Sequence, residues 1–205
     1  MKRLIPVLFL IALSTVCPAS VFRGCCGGMM IHSGYVQSKS FGYVTPEGIP
    51  TTPRKISGAP FGIGGAAKVI LGEHLRVGGE GYVSTLNYGD HRSCSSTGWG
   101  GLLADFIWNG NKWSWFAGAT VGGGGVKNVT LFEDIPLDLE IEKNTVSYRR
   151  YGFMGIAPYI GAEYALTKKI HLIFKADWMM NVSNPQPDFL SGPRFYIGFN
   201  FCHNK

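Results

Sequence analysis

The chain of 205 residues carries little charge: Asp, Glu, Lys and Arg together make up 16% of it. Nor do the charges cluster. The net charge of +6, which falls to +4 once Lys2 and Arg3 leave with the leader described below, is scattered without a basic block, and this argues against a surface built to neutralise nucleic-acid phosphates. Beyond residue 19 no apolar run approaches the ~20 residues of a membrane-crossing helix, so any crossing must be made by strands. A Cys-x-x-Cys pair and a His-x-x-x-His array are also missing, so the motifs support no metal and no other cofactor. Gly62-Ile63-Gly64-Gly65-Ala66-Ala67 and Gly122 to Gly125 look like phosphate-binding loops, yet neither is followed by the helical pattern that would aim backbone donors at a phosphate; both read as strand glycines.

What is present begins with a leader. Lys2 and Arg3 precede an apolar run from Leu4 to Ala12 and a small-residue end, Cys17-Pro18-Ala19-Ser20, which predicts an export signal over residues 1–19 cleaved after Ala19. Lipid attachment at Cys17 is the weaker reading, because branched Val16 precedes it. Residues 20–205 then form one domain, and 29 Gly with 13% aromatics is the composition of a β protein.

Between Ile170 and Met180 the chain alternates strictly. Ile170, Leu172, Phe174, Ala176, Trp178 and Met180 share one face, and His171, Lys175 and Asp177 the other. Other segments repeat the pattern: Phe61, Ile63, Ala67, Val69 and Leu71 oppose Lys68; Leu75, Val77 and Val83 oppose Arg76, Glu80, Tyr82 and Ser84; Phe195, Ile197, Phe199 and Phe201 oppose Arg194, Tyr196 and Asn200. Leu102, Ala104, Phe106 and Trp108 likewise oppose Asp105, and Met154, Ile156, Ile160, Ala162 and Tyr164 oppose Tyr159 and Glu163. A first strand, about Gly28 to Ser38, is placed with His32 inside, and Pro158 implies a bulge or a later strand start.

Short turn signals at Gly72-Glu73-His74, Asn109 to Lys112 and Thr167 to Lys169 alternate with long insertions at about Ser40–Ala59, Gly89–Gly98, Lys127–Tyr151 and Ser183–Pro193. Eight strands with this loop asymmetry predict an all-β, eight-stranded antiparallel up-and-down transmembrane β-barrel. Its ionisable span residues, Lys68, Arg76, Glu80, Asp105, Glu163, Lys175, Asp177 and Arg194, all fall on the inner face, four basic and four acidic. A Lys or Arg on the lipid face near mid-membrane costs about 2 to 4 kcal/mol, so this sorting is the strongest evidence for the assignment. An eight-stranded interior is narrow enough for side chains to fill, and the expectation is a mutually neutralised plug.

Trp108, Trp113 and Trp115 flank one short turn, and Trp99 and Trp178 lie near the other strand ends; the five are read as two interfacial girdles. In a closed barrel the first and last strands are neighbours, which predicts a disulfide between Cys202 and either Cys25 or Cys26, with Cys94 at the opposite end. Asp90, His91 and Ser93 are the residue types of acyl transfer, but side chains this close in sequence rarely align, and a solvated loop is the stronger reading. His171 reads as a satisfied interior histidine. Glu133, Asp134, Asp138, Glu140 and Glu142, alternating in part with Leu137, Leu139 and Ile141, fit a hairpin reaching beyond the membrane.

Pro158-Tyr159-Ile160-Gly161-Ala162-Glu163-Tyr164 and the aromatic last strand from Phe195 to Phe201 resemble the small outer-membrane barrels of the OmpA, OmpX and opacity-protein type. The resemblance implies a monomeric, porin-like bacterial outer-membrane protein in contact with lipid and inserted by the outer-membrane assembly machinery. The implied role is non-enzymatic, a surface antigen or cell-envelope component that meets a host or surface ligand through its loops. A narrow channel of the OmpW type is the alternative, and a lipid-modifying enzyme resting on Asp90, His91 and Ser93 is the third reading.

Overall fold

The computed structural model describes residues 22–42, 55–89, 93–131 and 146–204. Eight long strands account for most of them: β1 (Phe22–Gly34), β2 (Phe61–Leu71), β3 (Leu75–Tyr88), β4 (Ser93–Asn109), β5 (Trp113–Leu131), β6 (Val146–Ala165), β7 (Ile170–Trp178) and β8 (Pro193–Asn204). Each pairs antiparallel with its sequence neighbours. β8 returns to β1 from Gly24↔Asn204 to Gly34↔Arg194, so the sheet closes and leaves no free edge. The leader expected over residues 1–19, the acidic stretch from Glu133 to Glu142, Asp90 and His91 lie outside the described residues.

The three short connections gather at one end. Gly72 takes φ +64, a left-handed conformation that suits glycine, to turn Leu71 back onto Leu75. Thr167 Oγ1 accepts hydrogen bonds from the backbone N–H groups of Lys169 (3.2 Å) and Ile170 (3.0 Å) to set the last turn.

The opposite end differs from the expected long loops in two places. β4 begins at Ser93 and not after Gly98, and β5 and β6 stay paired out to Leu131↔Val146, so much of the Lys127–Tyr151 insertion is ladder. These strands are 19 and 20 residues long, against about 9–11 needed to cross a bilayer, so their far halves stand clear as a hairpin. A short pairing of Val36–Gln37 with Ser57–Gly58, bridged to Ser191, folds over the same end and packs Val36, Phe41 and Ile56 against Leu86.

Pro158 neither begins β6 nor sits in a bulge of it. β6 runs unbroken through Pro158↔Ala119, and its pairing with the neighbouring chain lapses only around Pro158, which has no N–H to donate, between Tyr159↔Asp177 and Ile156↔Met180, resuming in the same register.

Candidate functional site

Alternation places His32, Lys68, Arg76, Glu80, Asp105, Glu163, Lys175, Asp177 and Arg194 inside the barrel, the eight charged groups at 1% to 7% exposure. The opposite face carries Met29, Phe61, Leu102, Ile160, Phe195 and Phe201, each at least 60% open to the surroundings. The inner face is crowded enough to dictate glycine across from it: a Cβ on Gly62 would overlap the His32 ring, and one on Gly161 the Phe116 ring.

The carboxylates organise the interior in two tiers. Toward the short-turn end, Asp105 accepts from Arg76 Nε (2.6 Å) and Nη2 (3.1 Å), from Lys68 Nζ (2.7 Å) and from the Tyr159 hydroxyl (3.1 Å). The other edge of the Arg76 guanidinium donates to Glu163 Oε1 at 2.6 Å, where Asn200 Nδ2 also donates at 3.3 Å. In the other tier, Glu80 accepts from Lys175 Nζ and Thr120 Oγ1, both at 2.6 Å, and from Tyr82 at 3.2 Å. Asp177 takes Arg194 through Nε (2.7 Å) and Nη2 (2.9 Å), and the Tyr196 hydroxyl at 2.8 Å. Aromatic faces fill the gaps: Lys175 Nζ lies 4.4 Å from the Tyr159 ring and 4.9 Å from that of Tyr196, and Arg76 Cζ lies 4.9 Å from the Phe116 ring.

Asp105, Glu80 and Asp177 therefore each have three or more donors, Glu163 is shared by Arg76 and Asn200, and each cation has at least one carboxylate. That is the condition under which ion pairs withstand removal from water. The arrangement holds side chains from strands all round the barrel to one another, and the section they fill leaves little room for a column of water.

Toward the long-loop end the filling turns apolar and then polar again. Phe153 meets Phe189 at 5.0 Å between ring centres. Asp188, fully buried on the β7–β8 connection, accepts from Asn128 Nδ2 at 2.6 Å and faces Arg149 Nε at 3.6 Å, and Ser95 donates to Asn128. Alternation in the sequence puts Thr120 on the inner face of β5 with Phe116, but sequence reasoning missed Asp188 and Asn128. Asn128 shares that parity and could have been found; nothing in the sequence indicates that the connection carrying Asp188 turns inward.

The girdle assignment needs one correction. Trp108, Trp113, Trp115 and Trp178 lie on the outer face at 46% to 62% exposure, but Trp99 is 5% exposed and points into the lumen beneath the Arg194 guanidinium, 5.5 Å from its ring centre. Trp99 is an even number of residues from Leu103, Asp105 and Ile107 and must share their face. On the outer face near Trp178, Tyr35 and Phe61 (55% and 65% exposed) supply the aromatic rim instead.

The four described cysteines are free, contrary to the expected disulfide. Cys25 points outward and cannot meet Cys202; Cys26 is the register partner of Cys202, and both are buried and unbridged. Ser93 is buried at the start of β4, which removes it from the solvated loop in which it was placed.

No protein-family model matches the chain, and no curated sequence does. Solved structures do. Neisserial surface protein A superposes with a TM-score of 0.57 at 13% identity, over 87% of this chain and 98% of that one. The attachment invasion locus protein Ail of Yersinia pestis, in complex with the heparin analogue sucrose octasulfate, superposes with a TM-score of 0.53 at 9% identity, over 88% and 99%. The chain has the fold of the small outer-membrane barrels. Identity this low carries the architecture alone, an all-β closed barrel of eight antiparallel strands with a lipid-type outer face.

Proposed function

We propose that the protein is a monomeric, non-catalytic bacterial outer-membrane barrel whose lumen is sealed and whose external hairpin and loops meet a partner at the cell surface. The observation that carries the reading is the eight-charge interior, in which four cations and four carboxylates satisfy one another across the full section. A pore needs water where these groups stand. The enzyme reading loses its support, since a buried Ser93 cannot serve as an accessible nucleophile.

Purified protein in detergent should show heat-modifiable gel mobility and, in planar bilayers, no steady conductance. Long-lived open steps from pure protein would transfer the reading to a channel for small solutes, and a lipid A mass shift caused by the protein would transfer it to an enzyme.

For the surface role, the projecting hairpin sets exposed Lys127 directly opposite exposed Arg150. Like charges held face to face repel, and an anionic partner relieves that cost. Ail, of the same fold, was solved with a sulfated sugar analogue. A sulfated polysaccharide matrix should therefore retain the folded barrel, and Lys127→Glu with Arg150→Glu should abolish retention while leaving heat modifiability intact. Equal retention of the double variant would remove the hairpin from the surface role.

A further inference from the structure

At the short-turn end, three consecutive strands bring together three side chains, Glu163 of β6, His171 of β7 and Cys202 of β8, whose ligand atoms all lie within 4.8 Å of one another. Cys202 Sγ is 3.8 Å from His171 Nδ1, and His171 Nδ1 is 3.4 Å from Glu163 Oε2. We propose that this cluster is a binding site for a soft divalent cation of the zinc type, a role separate from the surface function above and independent of it.

The spacing is the first argument. The His171–Glu163 pair is a long contact at 3.4 Å, beyond the usual hydrogen-bond separation of about 2.7–3.2 Å, and an ion between the two atoms would fit the same spacing. Metal–sulfur lengths of about 2.3 Å and metal–nitrogen or metal–oxygen lengths of about 2.0–2.1 Å, at tetrahedral angles, imply ligand–ligand edges of about 3.6 Å for S···N and about 3.3 Å for N···O. The observed edges are within about 0.2 Å of both.

The second argument is the surrounding shell. Glu163 Oε1 is already held by Arg76 Nη1 at 2.6 Å and Asn200 Nδ2 at 3.3 Å, which fixes the carboxylate and turns Oε2 toward His171. His171 is 20% exposed and lines a cleft of about 490 Å³ that opens at this end between Glu73, His74 and Asn109, giving an ion a way in.

Charge is the third. Lys68 and Arg76 already balance Asp105 and Glu163 in this tier. As a divalent ion enters, the Cys202 thiol releases its proton to water, so the thiolate offsets one positive charge, and a hydroxide drawn from the open cleft at the fourth position would offset the other. A sulfur and an imidazole favour zinc, or cobalt as its probe, over the oxygen-seeking calcium and magnesium.

The test is cobalt titration of the folded barrel in detergent, reduced with a phosphine and free of chelator. One equivalent of Co²⁺ should produce thiolate-to-cobalt charge-transfer absorption, and Zn²⁺ should displace it. Cys202→Ser should lose the sulfur absorption, and His171→Ala should weaken binding about tenfold or more, since even outer-shell losses cost that much. Cys94→Ser should change nothing. Heat-modifiable mobility of every variant separates lost ligation from lost folding, and Glu163 is left intact because it also anchors Arg76. The proposal falls if the reduced, folded barrel shows no sulfur-to-cobalt absorption, if His171→Ala binds as wild type, or if protein isolated from cells carries Cys202 in a disulfide and no metal.

Discussion

Lys175 and Phe174 are sequence neighbours with opposite solvents. Lys175 Nζ reaches Glu80 at 2.6 Å inside the barrel, whereas Phe174 faces outward midway along β7. Replacing Lys175 with Leu leaves Glu80 buried with only hydroxyl donors, and breaking a buried pair from one side costs about 3–5 kcal/mol. Phe174→Arg leaves the interior untouched and adds about 2–4 kcal/mol of lipid-face cost, felt during insertion. Urea unfolding in lipid, followed by gel mobility, should show Lys175→Leu assembling but unfolding at lower urea. Phe174→Arg should show reduced yield of the heat-modifiable form. The reverse ranking would invert the assignment of faces. Asp177 allows a cleaner comparison, because exchanging it with Arg194 preserves the pair: Asp177→Arg alone should fail, and Asp177→Arg with Arg194→Asp should recover part of the loss.

At the scale of elements, the strands are held in register by how inner side chains fit against glycine. β6 approaches β5 at Gly161↔Phe116, and the Phe116 ring occupies the space a Cβ on Gly161 would need. Gly161→Val should therefore depress folding yield sharply through overpacking, and Phe116→Ala should restore only part of it, because a Cβ there also meets the Phe174 carbonyl oxygen. Equal yields of Gly161→Val with and without Phe116→Ala would mean that the glycine serves the backbone and not the packing. Both changes leave the ionised groups in place, so the rescue reads steric fit alone.

The molecule as a whole is a sheet without edges, wrapped on a core that is ionic in the middle and apolar toward the long-loop end. Charges this deeply buried are poorly screened by salt, whose Debye length of about 8–10 Å near physiological strength describes solvent-exposed pairs. Stability against urea should therefore change little between low and high ionic strength, despite eight interior charges. A large loss of stability in high salt would show that water and ions reach the network, which would also undercut the sealed lumen.

Alternation with a period of two was enough to sort every inner charge, because a charge on the lipid face is too costly to persist and the pattern needs no knowledge of partners. The same parity, applied to Trp99, places it inside beside Leu103 and Asp105; proximity to a strand end was the misleading cue. Strand number and the end bearing short turns follow from local turn chemistry at Gly72, Gly110 and Thr167, also legible in one dimension. What local pattern could not carry were contacts made by closure. Arg76 meets Glu163 across 87 positions of sequence and Lys175 meets Glu80 across 95, pairings that depend on barrel radius and strand stagger. Inward folding of Asp188 and convergence of Glu163, His171 and Cys202 belong to the same class. Their residues lie on separate strands or connections with no shared spacing, and only the register of β6, β7 and β8 places the three ligands within reach of one ion.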